Sequence, residues 1–225
     1  MSYHIPLDYC DIYIEPNREI VTVRQRWKYS WWRGDCEAFT YWTYQRRKAF
    51  HDAADRLIWN HWSNNYFLMA YGEIEDAKLI KDFRDRNYRL VFDIQWVLDN
   101  PHWTVNVVRQ EEGYKDRSSV KWNSKEVWLN ESDLRFYDLD CDIPFNTVLH
   151  EYTHTLYNDD EYGEVYGGKS GSRYEFDYRS LQNIGVELRD RFVTAIEEDI
   201  SYGVPGVSFS LLLTQKYVNS IDGRH

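Results

Sequence analysis

The chain has 225 residues, enough for one domain or one domain with two lobes, large enough to bury roughly 70% of its unfolded surface. Its net charge of −10 argues against a nucleic-acid or anionic-membrane surface as partner. Aromatic residues make up 17%, with ten Trp and nineteen Tyr, so a packed core coexists with a mean hydropathy of −0.71 and the chain is neither disordered nor fibrous.

Met1 to Pro6 carry no basic segment followed by an apolar one, so no Sec-type signal is expected. No apolar run approaches 18 residues, so no transmembrane helix is expected either. Cys10, Cys36 and Cys141 are too few for a disulfide framework and allow at most one bridge plus a free thiol. Without a Cys-x-x-Cys pair, a thiolate zinc site is not expected.

Residues 11–32 read as a β-hairpin. Ile12 and Ile14 alternate with polar residues, Pro16 and Asn17 turn the chain, and Val21, Val23 and Trp27 resume the alternation. From about 37 to 63 the spacing becomes helical, with Phe50, Ala54, Leu57, Ile58 and His61 on one face. His51 and His61 read as ordinary helix histidines. Asn64 and Asn65 end the helix, 66–71 is a short strand or the helix's exit, and 74–84 is charged and helical in spacing. Leu90, Phe92, Ile94, Trp96 and Leu98 alternate as a strand. After a turn at Asn100 and Pro101, Trp103, Val105 and Val107 alternate again, and Val127 to Leu129 follow a polar loop at 111–119. These are expected to form neighbouring strands, with 125–130 as a candidate edge strand able to hold a peptide.

The stretch that carries chemistry is His150-Glu151-Tyr152-Thr153-His154. Histidines four apart on a helix project from one face, where both can reach one Zn²⁺ at ~2.0–2.1 Å with the glutamate beside the metal. Phe145, Leu149, Tyr152 and Leu156 recur at helical intervals off that face, and Asp142 and Pro144 fit a cap and an early helical residue. A His-Glu-x-x-His run should arise by chance in about one or two chains per hundred of this composition. A zinc site needs a third protein ligand and an open position for water. Asp160, six residues after His154, is one candidate. Glu187 is the other, on the flank of a helical stripe formed by Leu188, Phe192, Ala195 and Ile196.

Read as H-E-x-x-H-x-x-Y-x-x-D, residues 150–160 resemble the metzincin side of the zincin metallopeptidases, closest to the snapalysin-like variant that ends in Asp. The resemblance implies a tight turn at Tyr157 that returns Asp160 beneath the metal. This chain departs from the family there, having Tyr157 where a glycine usually stands, and a side chain at φ > 0 carries a cost. Glu187 would instead complete the site as a glutamate from a second helix does in thermolysin-like zincins. Ser180, Leu181 and Gln182 stand where metzincins place a Ser-x-Met turn, with Gln182 for the methionine. Together these segments are similar to metallopeptidase toxin domains fused to bacterial secretion-spike and polymorphic-toxin proteins, including type VI effectors of the VgrG kind.

The resemblance implies an α+β, zincin-like fold. A mixed or antiparallel twisted sheet and an active-site helix would form an N-terminal lobe (about 1–157), followed by a smaller, mostly helical C-terminal lobe (about 158–225). It implies a zinc-dependent endopeptidase with Glu151 as general base, His150, His154 and Asp160 or Glu187 as ligands, and Tyr162 or Tyr178 as oxyanion donor. It further implies a protein or peptide substrate, an immunity protein or secretion-spike partner, and export by a non-Sec route, with the periplasm of a target cell as one site of action. A zinc amidase acting on cell-wall peptides and a zincin-like binding module without turnover are the alternatives. Gly163 to Ser172 read as a flexible loop beside the metal helix, and 207–213 as a late strand or buried helix.

Overall fold

The computed structural model describes residues 2–33, 41–109, 117–139, 143–163 and 171–214. These form a mixed α/β fold with four α-helices and a large mixed sheet of nine strands. The sheet is organised by one long strand. β1 (Tyr3–Pro6) and β2 (Asp11–Glu15) lead into β3 (Ile20–Arg33), and β2 pairs antiparallel with the first half of β3, from Asp11 opposite Arg24 to Glu15 opposite Ile20. The hairpin at 11–32 is therefore present, with β1 as an added strand.

β3 has 14 residues, long enough to take different partners along one side. β5 (Asn87–Trp96) runs parallel to it from Ile20 to Trp27, and β6 (Trp103–Arg109) runs parallel from Trp27 to Arg33 on the other side. The chain steps across β3 at Trp27, where Val97 N–H donates to Trp27 O and His102 N–H to Arg26 O. β5 and β6 are thus not neighbours, as their nearness in sequence suggested. Both keep their direction, and β3 lies between them.

Beyond β6, β8 (Glu126–Asn130) pairs parallel, and β7 (Ser119–Lys121) pairs antiparallel with β8 at the end of the sheet. This corrects the edge assignment: the strand at 126–130 is interior, and β7 is the edge. On the opposite side β4 (Tyr66–Tyr71) joins β5, and β11 (Ser208–Leu213) joins β4. The late apolar stretch is therefore a strand.

Alternation decides which face is covered. Val21, Val23, Trp27, Leu90, Phe92, Val105, Val107, Val127 and Leu129 share one buried face, while Arg24 and Asp93 pair across the other at 2.6 Å. α1 (Tyr44–Trp62) lays Phe50, Ala54, Ile58 and Trp62 at intervals of four onto the sheet, its N-terminus capped by Thr43. Its start lies inside the expected 37–63 helix, of which 37–40 fall outside the described residues. α2 (Ala77–Phe83) is capped by Asp76.

α3 (Thr147–His154) carries the His-Glu-x-x-His run. Its N-cap is Asn146, whose side chain accepts from Leu149 N–H, while Pro144 belongs to β10 (Ile143–Phe145), paired with β9 (Tyr137–Leu139) in a separate two-stranded sheet. Pro144 is therefore not an early helical residue, since a proline ring is tolerated in an edge strand. Asp142 lies outside the described residues. Tyr152 anchors α3 against Trp27, Trp62 and Phe92 at ring distances of 5.7–6.5 Å.

The part after 157 is not the mostly helical lobe expected. Among the described residues it holds turns, a 3-10 turn over Asp190–Val193 and one α-helix, α4 (Thr194–Gly203), before β11 returns to the main sheet. Cys10 is a buried free thiol; Cys36, Cys141, the loop at 164–170, most of the polar loop (110–116) and the tail at 215–225 lie outside the described residues. No helix of the described residues is long and apolar enough to cross a membrane.

Candidate metal centre

α3 stops within a residue of its second histidine. Leu156 N–H and Tyr157 N–H bond three residues back, to Thr153 O and His154 O, tightening the exit. Tyr157 then takes the left-handed conformation at φ 67°. A tyrosine there costs on the order of 1–2 kcal/mol, so something must hold it. Its ring stacks on Trp122 at 4.0 Å and 22°, meets Tyr9 edge-on at 4.7 Å, and its hydroxyl donates to Asp8 at 3.2 Å. The Lys125 ammonium lies 4.8 Å from the Trp122 ring and 5.5 Å from that of Tyr157, paired with Asp8 at 2.9 Å. An aromatic stack thus does here what glycine does without help.

Past Tyr157, the Asn158 side-chain amide donates to Thr153 O, Leu156 O and Phe192 O, closing the open end of the helix. The chain then returns Asp160 to the histidines. Asp160 Oδ1 is 3.1 Å from His150 Nε2 and 3.1 Å from His154 Nε2, and the two Nε2 atoms are 3.2 Å apart. His150, His154 and Asp160 form the group of potential ligands found among the described residues.

The far side of each ring decides what that triangle means. His150 Nδ1 lies 2.8 Å from Leu181 O, and His154 Nδ1 lies 2.6 Å from Asn158 O. A carbonyl only accepts, so each Nδ1 carries its proton and donates, leaving each Nε2 of a neutral ring with a bare lone pair. Three electron-rich atoms therefore converge. One proton satisfies an edge of the triangle; a metal cation satisfies all of it. Tetrahedral zinc with ligands at ~2.0–2.1 Å puts donor atoms about 3.3 Å apart, close to the spacing here. The two-nitrogen, one-oxygen donor set is also that of a zinc site.

The electrostatics agree. Burial works against the Asp160 carboxylate, but the adjoining His150 and His154 outweigh it and hold the group far below the usual range. Burial likewise works against a charged His154, and is outweighed by Asp160 and Glu151, so this ring is pushed up. Both shifts describe one centre that favours positive charge. Burial pushes Glu151 up, with His150 and His154 opposing, and its Oε2 is buried without a hydrogen-bond partner.

The floor is the strand-like segment at 180–182. Gln182 Nε2 donates to His150 O at 3.0 Å, and Leu181 O takes the His150 ring proton. Glu161, next to Asp160, is pinned to this floor: its N–H donates to Gln182 O, and its carboxylate accepts from Ser180 Oγ and from Arg191 at 2.6 and 2.7 Å. Asp177 ties Arg191 to Arg189.

Glu187 is not brought to the histidines. Its carboxylate is 45% exposed and paired with Arg179 at 3.1 Å and Arg189 at 3.0 Å, while its backbone buttresses the floor through Leu181 N–H. The helical stripe expected beside it begins only at Asp190, so nothing turns Glu187 inward. Tyr162 is buried against His150 with ring centroids 5.9 Å apart, and its hydroxyl accepts from Arg117. Tyr178 is exposed and meets Phe176 instead.

Glu151, His154, Asp160 and Tyr162 open onto a cleft of about 300 Å³, whose opposite wall is Arg117, the edge strand β7 and Trp122. No protein-family model matches the chain, and no curated protein or solved structure matches it. The site therefore stands on its own geometry. Asn158, Glu161, Arg191 and Arg117 are supporting residues that spacing did not mark; only Asn158, one residue after the turn, carried a local signal as a helix-ending side chain.

Proposed function

We propose that this protein is a zinc-dependent endopeptidase in which His150, His154 and Asp160 hold the ion and Glu151 is the general base. The observation that carries the reading is the triangle of His150 Nε2, His154 Nε2 and Asp160 Oδ1, with both Nδ1 protons already given to carbonyls. Zinc bound there would supply a Lewis acid that acidifies water and polarises a peptide carbonyl.

The chain's own residues do the rest. Glu151 lines the cleft and keeps one buried carboxylate oxygen without a partner, beside the two histidines, to take a proton from water and return it to the leaving amine. Burial raises its affinity for that proton toward the range a general base needs. Tyr162 packs its ring beside that of His150, and the 180–182 floor fixes the His150 ring. β7 borders the cleft with an edge that no described strand pairs, so a substrate can lie along it in extended form.

The succession of active-site helix, turn to an acidic ligand and supporting floor also supports a metzincin-like reading. The role of a secreted effector belongs to the same proposal and rests on the sequence resemblance. The test is hydrolysis of an unfolded protein substrate by the zinc-loaded chain and by Glu151→Gln. Cleavage is expected to stop while zinc stays bound; unchanged cleavage removes Glu151 from the reaction.

A further inference from the structure

The cleft is acidic on its metal side, where Glu151, Asp159 and Asp160 face it. Its opposite wall carries Arg117, two residues before β7. One Arg117 amino group donates to the Tyr162 hydroxyl, and the guanidinium carbon lies 5.7 Å from the centre of that ring. The side chain is thus positioned rather than trailing into solvent. Its charge is nonetheless unmatched: no carboxylate among the described residues pairs with it, although other arginines bordering this floor, Arg189 and Arg191, are each held by Asp177. In a chain of net charge −10, a guanidinium at the border of this cleft with no carboxylate partner among the described residues is a docking point for an anion.

We infer that Arg117 binds a carboxylate of the substrate peptide, so that cleavage is directed to peptides carrying an acid group within a few residues of the bond cut. The inference rests on the peptidase reading and narrows it to a substrate class. A planar carboxylate matches the guanidinium fork, and one anchored acid group beside the cleaved bond sets the direction in which the peptide lies. The carboxylate comes either from an Asp or Glu side chain or from the peptide's own C-terminus. The cleft chemistry is the same for both.

The experiment compares three matched peptides with the zinc-loaded protein: one neutral with an amidated C-terminus, one with a free C-terminal carboxylate, and one with Glu replacing Gln near the cleaved bond. One of the acidic peptides is expected to show kcat/KM at least ~10-fold above the neutral one, and which one it is names the source. In Arg117→Gln that ratio should fall to near one with zinc content unchanged, and Arg117→Lys should keep part of it. An equal ratio in Arg117→Gln, or a preference for the neutral peptide, overturns the inference. Should the wild-type protein cleave none of the three, the peptidase reading fails, and binding of the same peptides, followed by tryptophan fluorescence, decides Arg117 separately. Tighter binding of an acidic peptide that is lost in Arg117→Gln sustains the inference; equal or absent binding overturns it.

Discussion

Two pairs of helical histidines sit on the same face of the sheet and have different fates. On α3, His150 and His154 are one turn apart, each gives its Nδ1 proton to a backbone carbonyl, and a carboxylate faces both Nε2 atoms. On α1, His51 and His61 lie ten residues apart, about 15 Å along a helix axis, and cannot meet. His51 bonds Tyr29 and packs on Trp96; His61 is half-buried, with its Nε2 atom enclosed and unpartnered. Burial lowers the pKa of both α1 rings, whereas at His154 Asp160 and Glu151 outweigh burial and raise it. What stands at each of its two nitrogens decides whether a histidine is fitted to hold a metal. Helical position alone does not decide it.

The largest expected effect breaks the comparison outright. His154→Ala should weaken zinc binding by more than the ~10–100-fold that loss of a supporting group costs, measured by competition with a chelator. His51→Ala and His61→Ala should leave zinc affinity unchanged and lower stability by about 1 kcal/mol in urea unfolding. Glu151→Gln comes next: hydrolysis should fall by at least ~100-fold with affinity for the metal kept.

A smaller effect sharpens the account of the turn. Tyr157→Gly relieves the left-handed strain but removes the stack on Trp122 and Lys125, each contact worth roughly 0.5–1.5 kcal/mol. Zinc affinity should fall several-fold, and Tyr157→Phe, which keeps the stack, should stay near wild type. Tighter binding by the glycine variant would show that the stack does not hold the ligand turn.

The last concerns pH and lies away from the metal site. Burial, with Arg26 nearby, lowers His102 from 6.5 to about 4. The unfolded chain therefore binds the proton first as pH falls. Stability from this residue is complete above pH 6.5 and declines toward pH 4, by at most on the order of 3 kcal/mol. His102→Gln should flatten that part of the pH–stability curve.

The parts of the site legible in the sequence are the local ones. His150, Glu151, His154 and Asp160 fall within eleven residues, so helical spacing and one short turn relate them. Tyr157 hid its conformation because its partners, Trp122, Lys125, Tyr9 and Asp8, lie far away in the chain. Glu187 rivalled Asp160, which was only slightly favoured, because spacing does not show that Arg179 and Arg189 engage it. In the sheet, alternation marked β5, β6 and β8 but carries no information on pairing order. That order came from the length of β3 and the step across it at Trp27, and it moved the cleft edge to the three residues of β7, too short for alternation to mark.

The most direct measurement is a diffraction map at the zinc absorption edge from crystals of the zinc-loaded protein. The account predicts one anomalous peak bonded to His150 Nε2, His154 Nε2 and an Asp160 carboxylate oxygen, with Glu187 still on its arginines. A peak ligated by Glu187 in place of Asp160, or no peak between the two rings, would contradict it.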